Sequence, residues 1–142
     1  MLKAGTIVLL VLLLIAGAYS VVDFVAPAST LEGDFRAVTG AGYDSAAEPG
    51  AIAVATQYLR HLSVLSLTSV IASLFILLAG FRQGQRWAWW ALLVSGVLAW
   101  GFGTVINALI GNLFDFGTHL AGLVWLMVGL LLPVKSFFVR RA

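Results

Sequence analysis

The sequence predicts an all-α integral membrane protein: a four-transmembrane-helix bundle with both termini cytoplasmic and an outer loop between helices 1 and 2. Three observations carry that expectation. Hydrophobic residues make up 61% of the 142-residue chain and charged residues 10%, where a soluble domain carries about a quarter charged. Four continuous apolar runs, at about 4–25, 58–81, 87–110 and 118–138, each approach the roughly 20 residues that a helix needs to cross the hydrocarbon of a bilayer. Acidic and basic residues also fall into alternate connections between the runs, which short-loop charge bias turns into an orientation.

The runs read as helices, because a membrane barrel needs many short segments of alternating polarity and these are continuous. Their number and length leave room for one membrane domain, 1–142. The first run, rich in Leu and Val, is preceded by Lys3. Its Ala16-Gly17-Ala18 string resembles a signal-peptide cleavage site. The apolar stretch continues to Val25, longer than a signal core, which favours a retained span. The turn between the second and third runs carries Arg82 and Arg86, and the C-terminal segment carries Lys135, Arg140 and Arg141. With Lys3 these place six of the eight basic residues on the cytoplasmic side, Arg36 and Arg60 being the exceptions. Asp23, Glu32, Asp34, Asp44, Glu48 and Asp115 then all lie in or beside outer segments.

The formal charge of +2 sits at span ends, and no basic patch with interleaved aromatics points to nucleic acid. There are no cysteines, which removes disulfides, thiolate metal sites and a thiol nucleophile.

The outer loop, 27–57, is the one sizeable polar segment. Ser29 and Glu32 have the spacing of a capping box, which predicts a short helix over 30–38. Gly40, Gly42 and Gly50 break the chain, and Pro49 suits a first helical position, so the second helix is expected to open near Gly50 and protrude. Such a loop serves as a connector capping the bundle, or as a lid or partner-docking surface.

The inner turn is the most distinctive string. Glycines permit a tight reversal, Arg82 and Arg86 suit anionic headgroups, and Trp87, Trp89 and Trp90 suit the membrane interface. These five residues are the expected membrane anchors, with a lipid-headgroup site as the alternative. Tyr58-Leu59-Arg60-His61-Leu62-Ser63, an apolar helix, a short basic turn and Trp87-Ala88-Trp89-Trp90 together resemble a group of small four-span bacterial membrane proteins. The resemblance covers the second and third runs, about a third of the chain. It implies a multi-pass location in the bacterial inner membrane and offers no activity to carry over. His61 departs from it, standing where a glycine is common.

Small residues recur at helical spacing: Ser63, Ser66, Ser69, Ser73 and Gly80 in the second run, Gly96, Ala99 and Gly103 in the third, Gly122 and Gly129 in the fourth, Gly5, Ala16 and Ser20 in the first. Such stripes let helix backbones approach. A serine-lined path through the second helix is the functional alternative, weakened by the tendency of serine to bond its own helix.

The topology gathers Asp23, Arg60, His61, Asn107, Asn112, Asp115 and His119 at one outer depth. Three readings compete. The residues cap helix ends and pair, Arg60 with Asp23 or Asp115. Or they form an outward-facing site, with His61, His119, Asp115 and Arg60 as catalytic candidates and Asp23 and Asn107 as ligand-binding ones. Or His61, His119 and Asp115 hold a metal, the two histidines alone sufficing for haem. No cofactor is favoured. Trp100 and Trp125 fall mid-membrane, as packing residues or as a stacking surface for a quinone or isoprenoid. The leading expectation is a non-enzymatic membrane protein, an accessory subunit or homo-oligomer whose partners are the bilayer, other subunits or itself. The alternative is an outward-facing binding protein or enzyme for an apolar or amphipathic small molecule.

Overall fold

The computed structural model describes residues 1–42 and 48–139, so Asp44, Arg140 and Arg141 lie outside the described residues. All of its elements are helical: α1 (Leu2–Val25), α2 (Pro27–Thr39), α3 (Pro49–Ala79), α4 (Arg86–Gly96), α5 (Phe102–Ile110), α6 (Leu113–Leu131) and α7 (Val134–Phe138). A 3₁₀ turn, Phe81–Gln83, follows α3, and a π-helical segment, Val97–Gly101, fuses α4 to α5. Four helical stretches are long and apolar enough to cross a membrane: Leu2–Val25, Pro49–Gln83, Arg86–Ile110 and Leu113–Leu131.

Prolines set two of the helix boundaries. The residue before a proline is pushed out of the α region. Ala26 accordingly sits at φ −125°, ψ 55° and ends α1, while Pro27 opens α2 as its first residue. The expected capping box is therefore not formed. Ala26 is the N-cap, and the Ser29 hydroxyl donates to the Ala26 carbonyl at 2.8 Å. Pro133 similarly stops α6, because it lacks the amide that would continue the ladder. The fourth long helix thus runs Leu113–Leu131, offset from the 118–138 apolar run, and Val134–Phe138 forms a separate short helix. α3 opens at Pro49 and has 31 residues, about 46 Å at 1.5 Å per residue. That exceeds the ~30 Å hydrocarbon thickness by about five residues at each end, or by three turns at one.

α1 packs against both α3 and α6, and α6 carries α4, the π segment and α5 on its other side. Large side chains sit in glycine notches along these seams. A Cβ at Gly129 would come within 2.6 Å of Leu9, and one at Gly5 within 2.7 Å of the Gly129 carbonyl oxygen. Across the other seam, Gly122 receives the Trp100 ring, Gly96 receives Leu126 and Gly103 receives His119. A π turn closes on the fifth residue, which swings Trp100 rather than Ala99 toward α6; Ala99 is exposed. The serine stripe of α3 is split: Ser63 is buried with Val70 and Leu77, seven residues apart, whereas Ser66 and Ser69 are exposed. Ser63 and Ser69 bond the carbonyls of Leu59 and Leu65 on their own helix. Ser66 lies 2.8 Å from the Ser20 hydroxyl of α1.

The apolar core occupies the half of the bundle nearest the basic turn. It contains Leu9, Leu12, Leu77, Phe81, Trp89, Leu92, Leu126, Leu130 and Phe137. The buried polar residues Ser20, Ser63 and Asn112 all belong to the other half, beside α2. The Gly122 notch is testable. Gly122→Val should force the Trp100 ring aside and cost about 1–3 kcal/mol, the usual range for overpacking. Gly117→Ala, where a Cβ meets nothing within 4 Å, should be neutral or slightly stabilising. Thermal unfolding in one detergent separates the two.

Candidate functional site

The polar residues of the α2 end are organised by Asn112. Gly111, at φ +79°, turns the chain between α5 and α6 and leaves Asn112 as the α6 N-cap, 2% exposed. Its side-chain oxygen accepts the Asp115 backbone N–H at 3.2 Å. Its amide nitrogen donates to Asp115 Oδ2 at 2.9 Å and to Asp34 Oδ1 at 3.4 Å. One amide therefore joins carboxylates from α6 and α2. A second tie runs from the Thr30 hydroxyl of α2 to Asp23 Oδ1 of α1, at 2.8 Å.

The Asp34 carboxyl is pushed up from 3.8 to about 6. Burial is the main cause, followed by its hydrogen bond to Asp115 and the Asp115 charge; Asn112 acts in the opposite direction and Asp23 adds a smaller push upward. A carboxyl shared between two acids holds a proton more tightly than one beside a cation.

His119 sits one turn below Asp115. Its Nδ1 is 2.8 Å from the Asp115 carbonyl oxygen; a carbonyl only accepts, so Nδ1 is the donor in that bond. Asn107 Nδ2 lies 3.4 Å from the same Nδ1 and donates to the Gly103 carbonyl at 2.9 Å. The imidazole packs into the Gly103 notch with the Trp100 ring 5.8 Å away. The α5–α6 seam thus holds an imidazole, an amide and an indole in contact.

Two expected members are elsewhere. Arg60 and His61 are exposed on α3 and bond no other described residue. The expected pairing of Arg60 with Asp23 or Asp115 is not made, because those carboxylates are taken by Thr30 and Asn112. His61 and His119 are not brought together, since His119 packs into the α5–α6 seam. Among the described residues no group of three His, Asp or Glu is placed to hold a metal ion. Asp34 and Thr30, by contrast, enter the cluster from the short helix expected within the outer loop, a segment outside the expected site. Their signal was present. Pro27, Thr30, Leu31, Asp34 and Phe35 follow the i, i+3, i+4, i+7, i+8 spacing of one helix face, and all five are buried or half-buried.

Trp125 is 39% exposed and its indole N–H donates to the Val8 carbonyl of α1 at 3.0 Å. With Val8, Leu120, Ala121, Val124 and Val128 it lines an open apolar groove of about 630 Å³ that reaches Gly117. At the opposite end, Trp89 is a correction to the expected anchors. It is buried, and its indole donates to the Leu130 carbonyl at 3.0 Å. Arg86 Nε donates to the Phe137 carbonyl at 2.8 Å, tying α4 to α7. Arg82, Trp87 and Trp90 remain exposed.

Asn112→Ala removes a helix cap and both carboxylate bonds. It should cost about 1–3 kcal/mol, and Asn112→Ser, which keeps a capping oxygen, should recover part of that. Thermal or denaturant unfolding at fixed pH measures both; equal losses would mean that capping contributes nothing here.

A comparison of the chain with family models, with curated proteins and with solved structures gives no match.

Proposed function

We propose that the chain is a small multi-pass membrane protein that works by lateral association, as an accessory subunit of a larger assembly or as a homo-oligomer. The observation that supports it most is the third long helix. From Leu93 to Ile110 it buries no residue. Val94, Leu98, Phe102, Val105, Ile106 and Leu109 are all more than half exposed, and Ser95 and Ala99 lie exposed among them. A helix held on one seam, with a mixed small and large outer surface, suits packing against another helix in lipid.

The orientation proposed with this reading places the α2 end outside. Lys3, Arg82, Arg86 and Lys135 lie at or near the basic-turn end, and Asp23, Glu32, Asp34, Glu48 and Asp115 at or beyond the other. That division follows the positive-inside rule. The bacterial inner membrane is the proposed location, on the resemblance of the second and third runs. The surplus length of α3 then stands in water beside α2, with Val54 and Tyr58 exposed.

One observation favours a second reading, in which the protein binds an apolar or amphipathic molecule such as a lipid, isoprenoid or quinone. The groove beside Trp125 ends at Gly117, two residues from Asp115. A chain lying in it would bring a polar head to the carboxyl cluster.

Native mass spectrometry after gentle release from the protein's own membrane separates the readings. The first expects a stoichiometric protein partner or a second copy, and a lone apo monomer counts against it. The second expects a bound small mass that Trp125→Ala removes. Loss of that mass in His119→Ala with folding intact would extend the site to the seam.

A further inference from the structure

We propose that α2 is a proton-operated latch, docked on α1 and α3 with Asp34 against the Asn112 cap of α6 while Asp34 keeps its proton, and released when that proton leaves.

The latch has an anchor, a hinge and a source of strain. Side-chain hydrogen bonds tie α2 to the bundle: Thr30 to Asp23 and Asn112 to Asp34, with Asp34 also bonded to Asp115. All of them end on a carboxyl group. The hinge is the single residue Ala26 between α1 and α2. The other end of α2 stops at Gly40, at φ +74°. The strain comes from burying a carboxylate beside like charges. Asp34 from α2 and Asp115 from α6 meet at the Asn112 amide; burial is the main cost of ionising Asp34, and the charges of Asp115 and Asp23 add to it.

Other charged groups nearby do not relieve this. Within α2, Glu32 pairs with Arg36 at 2.6 Å, both on its solvent side. On α3, Glu48, Arg60 and His61 are exposed. On α6, His119 bonds the Asp115 carbonyl rather than its carboxylate. Among the described residues, the donor that bonds both Asp34 and Asp115 is the Asn112 amide. Moving α2 away separates the charges and hydrates Asp34, at the loss of that 3.4 Å bond and of the Thr30–Asp23 bond.

The direction follows from linkage. The docked state holds the Asp34 proton more tightly than the free carboxyl does, so docking takes up a proton. Docking is then strongest at and below the ordinary carboxyl range, weakens as pH rises through about 6, and is level above it. The difference between 3.8 and about 6 bounds the change in the docking equilibrium at about a hundredfold. Between pH 5 and pH 7.5, a window that begins above the free value of 3.8, the same difference gives at most about tenfold, and water around the half-buried Asp34 reduces that to roughly threefold. An undocked helix of 13 residues is marginal in water, so release is visible as fraying of α2.

The test is hydrogen exchange of the full chain in lipid nanodiscs, at pH 5 and pH 7.5, corrected for intrinsic exchange rates. The α2 amides should lose roughly threefold, and at most about tenfold, in protection at the higher pH while those of α1 and α6 hold. Asp34→Asn, which cannot ionise, should keep α2 protected at both pH values. Equal α2 protection in the parent protein at both pH values overturns the latch, as does a pH response that survives in Asp34→Asn. If Asp34→Asn does not fold, Asp115→Asn removes the neighbouring charge and hydrogen bond but not the burial of Asp34, and must shrink the response; an undiminished response overturns the role of the pair. Since the chain has no cysteine, a spin label on exposed Val38→Cys gives a second readout; its mobility should rise with pH only where Asp34 is present.

Discussion

The structure depends on close packing of α6 against two neighbours at once. α6 is notched on both sides: Gly129 takes Leu9 from α1, and Gly122 takes Trp100 from the π segment. It also projects Leu126 and His119 into Gly96 and Gly103 of the third long helix. In lipid, where apolar surface gains little by leaving solvent, such interlocking and a few polar contacts are what hold helices together. The Trp125 N–H donating to the Val8 carbonyl is one of those contacts. The helices without this interlocking are correspondingly exposed, and α5 rests on α6 along a single seam.

The two halves of the bundle are held by different physics. Near the basic turn, Phe81, Leu77 and Leu130 are fully buried, and Phe81 and Phe137 stack with centroids 4.8 Å apart. The polar groups there serve the backbone: Trp89 and Arg86 each donate to a carbonyl close to the Pro133 break. At the α2 end the buried polar residues are Ser20, Ser63 and Asn112, and their partners include side chains of neighbouring helices. Hydrogen bonds contribute about 1 kcal/mol each and are open to competition from water. Local opening therefore belongs to the α2 end, and the basic-turn end is the fixed base.

The helical class and the long apolar stretches were legible in the sequence because they are set by composition and length. What escaped was set by single residues acting through tertiary geometry. Pro27 and Pro133 moved helix boundaries by fixing the backbone of their neighbours. Trp89 reads as an interfacial tryptophan until the Leu130 carbonyl is seen beside it. The glycine stripes suggested backbones in contact, yet apart from Gly5 and Gly129 the notches hold side chains. The candidate cluster was half legible. Asp23, Asn107, Asn112, Asp115 and His119 are drawn to one end by helix topology alone. Asp34 and Thr30 needed the corner at Ala26, and the exclusion of Arg60 and His61 needed the facing of α3, which no spacing rule supplies.

That exclusion is itself informative. A bundle selected only for stability would use Arg60 against the carboxyls, since breaking or omitting one partner of a buried charge pair is costly. Arg60 lies 20 residues from Gly80, about 30 Å along α3, and so is near the level of those carboxyls. It nevertheless points away, and Arg36 is spent on Glu32. The acids are left with the Asn112 amide between them. An arrangement that forgoes an available cation keeps the α2 contact weak and dependent on its surroundings. Such weakness is a defect in a connector. In an element that must leave the bundle, when a partner docks or a ligand enters beside Gly117, it is a working property.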